Sequence, residues 1–281
     1  KMWIETFGID GLRLDVAYSL DHNFMRRLRS FCEEIKPGFA LVGEVLFGDY
    51  NLIVNNEMLH SCTNYECYKG LYSSFNSMNL FEIAHSLNRQ YGPEQWCIYR
   101  GKHLMTFADN HDVTRLASIL TNKRHIPLAY GLLFGMPGIP CIYYGSEWGI
   151  KGMRTKYSDD ELRPCISISD ADQLNCSLTG MIAKLGIIHR DNPEYHRGEY
   201  KELLLTNRQY AFDRFTGNLA AVTAVNNDDK EVNLRIPIPF PGDKAVSLLD
   251  GSVIPIEEGF INLLLKGNEG IVLKITSDHQ K

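Results

Sequence analysis

Residues 11–16 read Gly11-Leu12-Arg13-Leu14-Asp15-Val16, a short alternation of apolar and charged side chains that predicts a β-strand. Downstream, Phe24, Leu28, Phe31 and Ile35 recur at helical spacing, which predicts an apolar stripe along one helix that Pro37-Gly38 ends. A second apolar run at 40–46 follows. Strand, helix and strand in that order make a β-α-β unit and imply a parallel pair.

The same rhythm continues outward. Further strands are predicted at 60–65, 103–108 and 139–144. Helical segments are predicted over about 66–91 with a break between Asn76 and Asn79, over about 113–135, and over about 172–190, where Asp191-Asn192-Pro193 stops the last. Beyond residue 195 helical periodicity gives way to short alternating runs at 210–215, 219–225, 232–236, 245–249, 260–265 and 271–275. Turn-forming clusters at Asn226–Asp229 and Pro237–Asp243 separate them, which predicts a small antiparallel β-sandwich. The expected organisation is therefore an α/β domain over 1–194 and an all-β domain over 195–281.

Composition narrows the classes of function. With 281 residues, 44% hydrophobic and 22% charged, the chain is neither disordered, collagen-like nor multi-spanning. A net charge of -5 offers nothing to nucleic acid or to an anionic membrane. The seven cysteines are scattered without CxxC spacing, which predicts reduced, mostly buried thiols and a cytoplasmic location rather than a disulfide framework, a zinc site or a redox motif.

Charged residues fall where predicted strands end. Asp15 closes the first, Glu44 the second, and Asn110-His111-Asp112 follows the fourth. In parallel α/β folds the carboxyl ends of strands line the ligand site, so Asp15, Glu44 and Asp112 can converge on one pocket. Period-two alternation puts Arg13 on the same side as Asp15, where a guanidinium keeps the carboxylate ionised. Asp159 and Arg163, four apart after the fifth strand, read by spacing alone as a surface ion pair. Tyr65 and Trp148 read as packing residues, and the remaining histidines, His279 among them, have no metal-ligand spacing.

Four segments in order, Gly11-Leu-Arg-Leu-Asp15-Val-Ala17, Gly43-Glu44-Val45, Phe107-Ala-Asp-Asn-His-Asp112 and Gly138-Ile-Pro-Cys-Ile-Tyr-Tyr-Gly-Ser-Glu147, resemble signatures of the α-amylase superfamily, glycoside hydrolase family thirteen. Asp21-His22 and the Val-Ala after Asp15 look most like its cyclomaltodextrinase, neopullulanase and maltogenic amylase branch. The resemblance implies a retaining hydrolase of α-glucosidic bonds in maltodextrin- or starch-derived oligosaccharides. By the same resemblance Asp15 is the nucleophile, Glu44 the acid/base and Asp112 the third carboxylate, with Arg13, His111, Asp159 and Arg163 binding substrate.

No cofactor is expected, and no metal site; calcium would belong to the full-length protein. The resemblance implies that this chain matches strands four to eight of a (β/α)8 TIM barrel and the C-terminal β-sandwich, and that five strands leave the barrel unclosed. An N-terminal half of the barrel, or a second chain, is therefore expected to cover the open edges, and these residues alone to lack activity. Tyr18 and Ser19 stand where many relatives carry Lys-His or Asn-Glu, which leaves an α-glucan transglycosylase as the alternative activity. A catalytically inactive carbohydrate-binding relative is the second alternative.

Overall fold

In the computed structural model, which describes residues 1–277, five short strands run parallel: β1 (Gly11–Leu14), β2 (Ala40–Gly43), β3 (Ser61–Cys62), β4 (Met105–Phe107) and β5 (Ile139–Cys141). β1, β2 and β3 pair in chain order, with Leu14 opposite Gly43 and Val42 opposite Ser61, and β4 pairs with β5. A parallel bridge between Thr63 and Met105 joins the two groups. Among the described residues β1 and β5 each have one neighbour, so two edges are unpaired.

Helices α1 (Met2–Phe7), α2 (His22–Ile35), α3 (Tyr65–Asn76), α4 (Phe81–Tyr91), α5 (Leu116–Ile119), α6 (His125–Gly135), α7 (Ile168–Leu174), α8 (Ser177–Asp191) and α9 (Pro193–Arg197) surround the strands. Asp21 starts α2 by accepting the Phe24 N–H at 2.8 Å. The predicted stripe on α2 is corrected by the structure. Met25 and Cys32 form its buried line, whereas Phe24 and Phe31 are about half exposed, at 50% and 47%. Met2, Trp3 and Phe7 of α1 are exposed as well, so apolar surface accumulates on the β1 side of the arc.

Several predicted elements are shortened or split. β1 stops at Leu14 because Val16 takes a left-handed conformation, φ 46°. The single helix expected over 113–135 divides because Asn76 donates to the Ile119 carbonyl and accepts the Thr121 N–H, using backbone groups that a continuous helix would need. The helix expected over 172–190 is likewise two, and Cys176 and Thr179 cap the second reciprocally. Cys32, Cys62 and Cys67 are buried, Cys97 and Cys141 half-buried, and Cys165 and Cys176 exposed; all are free thiols, so the expectation of burial holds for only part of the set.

The C-terminal part is antiparallel. It comprises β6 (Glu199–Leu205), β7 (Gln209–Thr216), β8 (Leu219–Asn226), β9 (Val232–Pro237), β10 (Lys244–Ser247), β11 (Val253–Pro255), β12 (Phe260–Leu265) and β13 (Glu269–Thr276). Six strands form one sheet in the order β11-β10-β13-β8-β7-β6, while β9 and β12 make a separate pair. Ala211, Ala220 and Val222 share one buried cluster with Leu234, Ile261 and Leu263 of that pair. Tyr200, Tyr210, Phe212 and Val225 instead join the core beneath the helices, so both faces of the six-stranded sheet are covered. Among the described residues no helix is long and apolar enough to cross a membrane.

One buried acid makes stability pH-dependent. Asp213, opposite Lys201 in the sheet, is fully buried, and burial pushes its carboxyl up to about 7 against the pull of Lys201. An unfolded aspartate titrates near ~3.9, so the folded chain holds a proton that the unfolded chain has already lost. Stability from this residue is therefore greatest below about pH 4, falls as pH rises toward 7, and stays reduced above. Asp213→Asn should stabilise the protein at pH 8 by on the order of 2 kcal/mol and much less at pH 4, read from denaturant unfolding at both pH values. Equal effects at the two values would contradict this titration.

Candidate active site

Because β1 and β2 are in register, Asp15 and Glu44 each lie one residue beyond the end of adjacent strands. The turn after β1 is stitched to β2. Glu44 donates its N–H to the Leu14 carbonyl at 2.8 Å, and its own carbonyl accepts the Ala17 N–H at 2.9 Å. Val16 donates its N–H to Glu44 Oε2 at 3.1 Å from the left-handed conformation that ended the strand. That geometry costs a β-branched residue about 1–3 kcal/mol and persists because these bonds over-determine the turn. Gly43 is required by close approach, since a Cβ there would lie 2.5 Å from Leu59 Cδ1 and 2.8 Å from Ala17 Cβ.

Arg13 joins the two acids. Its Nη1 bonds Asp15 Oδ1 and its Nη2 lies 3.1 Å from Glu44 Oε1. A single planar guanidinium can do this only if the carboxylates stand within a few ångströms of one another. Their surroundings differ: Glu44 is 6% exposed, whereas the Asp15 side chain is 73% exposed.

Asp112 is held by a second set of contacts. Its N–H donates to Asn110 Oδ1 at 2.8 Å, and Asn110 Nδ2 donates to the Tyr65 hydroxyl at 3.0 Å. Arg163 Nη2 donates to Asp112 Oδ1 at 3.0 Å and lies 2.6 Å from Asp159 Oδ2, while Arg163 Nε donates to the His111 carbonyl at 3.2 Å. His111 Nε2 faces Asp112 Oδ2 at 3.1 Å. Arg163 therefore bridges Asp112 and Asp159, so the i,i+4 pair is tied to Asp112 through its arginine.

Tyr65 relates the two groups and corrects the expectation that it is core. Burial pushes its hydroxyl up and the Asn110 hydrogen bond pulls it back; the charges of Glu44 and Asp112 raise it further, and Arg13 lowers it. Its hydroxyl is bonded to Asn110, the residue that also holds the Asp112 N–H. Asn64, just before it, is structural, capping α3 through the Cys67 N–H and donating to Gln90 Oε1 at 2.7 Å. Trp148 donates Nε1 to Asn175 Oδ1 at 3.3 Å and braces the loop after β5. No cluster of three metal-ligating side chains occurs among the described residues, and His279 lies outside them.

Sequence reading missed a buried latch. Arg115 is fully buried, donates to the Tyr144 carbonyl at 2.7 Å, Ser146 Oγ at 3.1 Å and the Leu162 carbonyl at 2.6 Å, and lies 4.1 Å above the Tyr143 ring. Asp109 accepts the Leu116 N–H at 2.6 Å and the Ser146 hydroxyl at 2.7 Å, and burial raises its carboxyl. Together they pin both ends of the loop that delivers Arg163 to Asp112. Arg115→Met should cost about 3 kcal/mol, because three acceptors lose a charged donor in the interior. Thermal denaturation measures it, and an unchanged melting temperature would show that the latch contributes nothing.

The family model for the α-amylase catalytic domain matches residues 1–192. The chain is 25% identical over 260 residues to a cyclomaltodextrinase of Geobacillus thermopakistaniensis, covering 89% of this chain and 42% of that protein. It is 26% identical over 277 residues to a cyclomaltodextrin glucanotransferase of Niallia circulans, covering 93% and 35%. Superposed on the crystal structure of an Anoxybacillus α-amylase, all of this chain aligns with 62% of that one at a TM-score of 0.85 and 22% identity, a likeness of fold. The chain spans less than half the length of these two curated relatives. With more than half of its residues inside the family match, the chain belongs to the α-amylase family through its catalytic domain.

Proposed function

We propose that the protein containing this chain is a retaining glycoside hydrolase acting on α-glucosidic bonds of maltodextrin- and starch-derived oligosaccharides. The observation that carries the reading is the Arg13 fork between Asp15 and Glu44. Retaining hydrolysis needs an ionised nucleophile and a proton donor about 5–5.5 Å apart, on opposite sides of one C–O bond. In this reading Asp15 Oδ attacks the anomeric carbon while Glu44 gives its proton to the departing glycosidic oxygen. Water, deprotonated by Glu44, then cleaves the ester on Asp15 and restores the original configuration. Asp112 and His111 grip the sugar hydroxyls, and their contacts strengthen as the ring flattens. Asp159 and Arg163 orient Asp112. The reaction needs no cofactor.

Residues 1–194 are read as strands four to eight of a (β/α)8 barrel and 195–281 as its β-sandwich. The unpaired edge of β1 and the exposed Met2, Trp3 and Phe7 support a cover supplied by an N-terminal half of the barrel or by a second chain. Free cysteines support a cytoplasmic setting. Just past Glu44, the Phe47 ring lies 4.8 Å from that of Tyr18 and offers an aromatic wall to the departing sugar. A transglycosylase is the second reading, favoured by Tyr18 and Ser19 on that acceptor side.

The test is proton NMR of maltotriose turnover by the full-length protein. Hydrolysis with retention releases the newly formed reducing end first as the α-anomer, with glucose and maltose as products. Oligosaccharides longer than the substrate would mark transfer, and β-anomer as the first product would contradict the proposal.

A further inference from the structure

At the opposite end of the parallel strands from Asp15, Glu44 and Asp112, a cavity of about 280 Å³ opens between the entries to β4 and β5 and the start of β6. Five basic side chains line it, Arg100, Lys102, His103, Arg197 and Arg214, against one acid, Glu199. Its walls cannot be narrowed by substitution: a Cβ on Gly138 would lie 2.6 Å from the Leu104 carbonyl oxygen, and one on Gly198 would lie 2.1 Å from that of Glu194.

Arg214 is the buried member, 2% exposed. Its Nη atoms donate to the carbonyls of Gly135 at 3.4 Å, Tyr195 at 3.1 Å and Gly198 at 2.9 Å, while its Nε has no partner among the described residues. Carbonyls satisfy its hydrogen bonds, and among the described residues no carboxylate is bonded to it, although the charges of Glu194 and Asp213 act on it from nearby. Of the acids nearby, Glu194 is bonded to Lys274 at 2.5 Å, and burial pushes the Asp213 carboxyl up to about 7. Burial pulls the guanidinium down to about 10. His103, which lines the same cavity as Arg214 and Arg197, is lowered by burial and then by their charges. Neither Arg197 nor His103 has an ion-pair partner among the described residues.

We propose that this basic cavity binds a phosphate group, as inorganic phosphate or as the monoester of a small sugar. A compact dianion answers the excess of cations, its several oxygens can take forked donors from arginine, and the volume leaves room for a sugar ring beyond the phosphate. Because Arg214 already ties the end of α6 to α9 and β7, an anion seated on it tightens the seam between the parallel and antiparallel parts. The site is separate from the carboxylate site and stands whether or not that site is catalytic.

The experiment is isothermal titration and thermal melting of the full-length protein with inorganic phosphate and with glucose 6-phosphate, against sodium chloride at matched ionic strength. Saturable binding is expected, with a rise in melting temperature that chloride does not reproduce. Arg197→Glu should weaken it at least about tenfold, whereas Arg190→Glu, the same charge change on an exposed arginine outside the cavity, should leave it unchanged. Circular dichroism checks that both variants fold. Tighter binding of the sugar ester identifies it as the ligand, and equal binding identifies the free anion. Absence of saturable heat at millimolar ligand, an equal shift with chloride, or equal losses in both variants would overturn the proposal.

Discussion

Glu44→Gln should lower turnover of unactivated maltodextrins by about 10²–10⁴-fold while leaving sugar affinity nearly unchanged. The substitution keeps the size of the side chain, and the amide oxygen can still accept the Val16 N–H that now reaches Glu44 Oε2 at 3.1 Å. What it removes is the proton. The loss should therefore depend on the leaving group: a sugar alkoxide needs that proton, whereas a fluoride or nitrophenolate departs without it. Steady-state kinetics on maltodextrin and the pre-steady-state release from an activated glucoside, with calorimetric binding of maltose, separate the two. Near-normal turnover of maltodextrin would remove Glu44 from the proposed role.

Asp15→Asn should be more damaging still, by about 10⁴-fold or more on every substrate, because the first covalent step is lost whatever the leaving group. Arg13 explains why the charge matters. It is bonded to Asp15 and Glu44 together, so a neutral amide at position 15 removes the nucleophile and leaves the guanidinium to Glu44 alone. The diagnostic is the first step: an activated leaving group should restore in Glu44→Gln a burst of release of about one equivalent per protein before the ester stalls, and should give no burst in Asp15→Asn. Equal bursts in both variants would contradict the division of roles.

The parallel frame was legible because β1, α2 and β2 each obey a local rule: alternation, helical spacing with an Asp21 cap, and a second apolar run. Asp15, Glu44 and Asp112 were legible for the same reason, since strand ends can be located once strands are. Position on a helix was not. Phe24 and Phe31 match the spacing of a buried stripe, yet the packing chose the line of Met25 and Cys32, and spacing alone cannot say which flank meets the sheet.

Residues defined by long-range contacts were equally hidden. Nothing near Arg115 in the chain announces that it will bond carbonyls at Tyr144 and Leu162, 29 and 47 positions away. β6 escaped notice because its residues, Glu-Tyr-Lys-Glu-Leu-Leu-Leu, break alternation at a register shift between Glu202 and Leu204. The left-handed turn at Val16 runs against the preference of a β-branched residue and is imposed by its bonds to β2.

The central claim is that Asp15 and Glu44 act on the same glycosidic bond, and trapping the covalent intermediate tests it most directly. Full-length protein carrying Glu44→Gln, given α-maltosyl fluoride, should form the ester without acid help and then stall for want of a base. Mass spectrometry of a protease digest should show one maltosyl unit on the peptide containing Asp15. Continued fluoride release with no adduct, or an adduct on Asp112 or any other residue, would contradict the account.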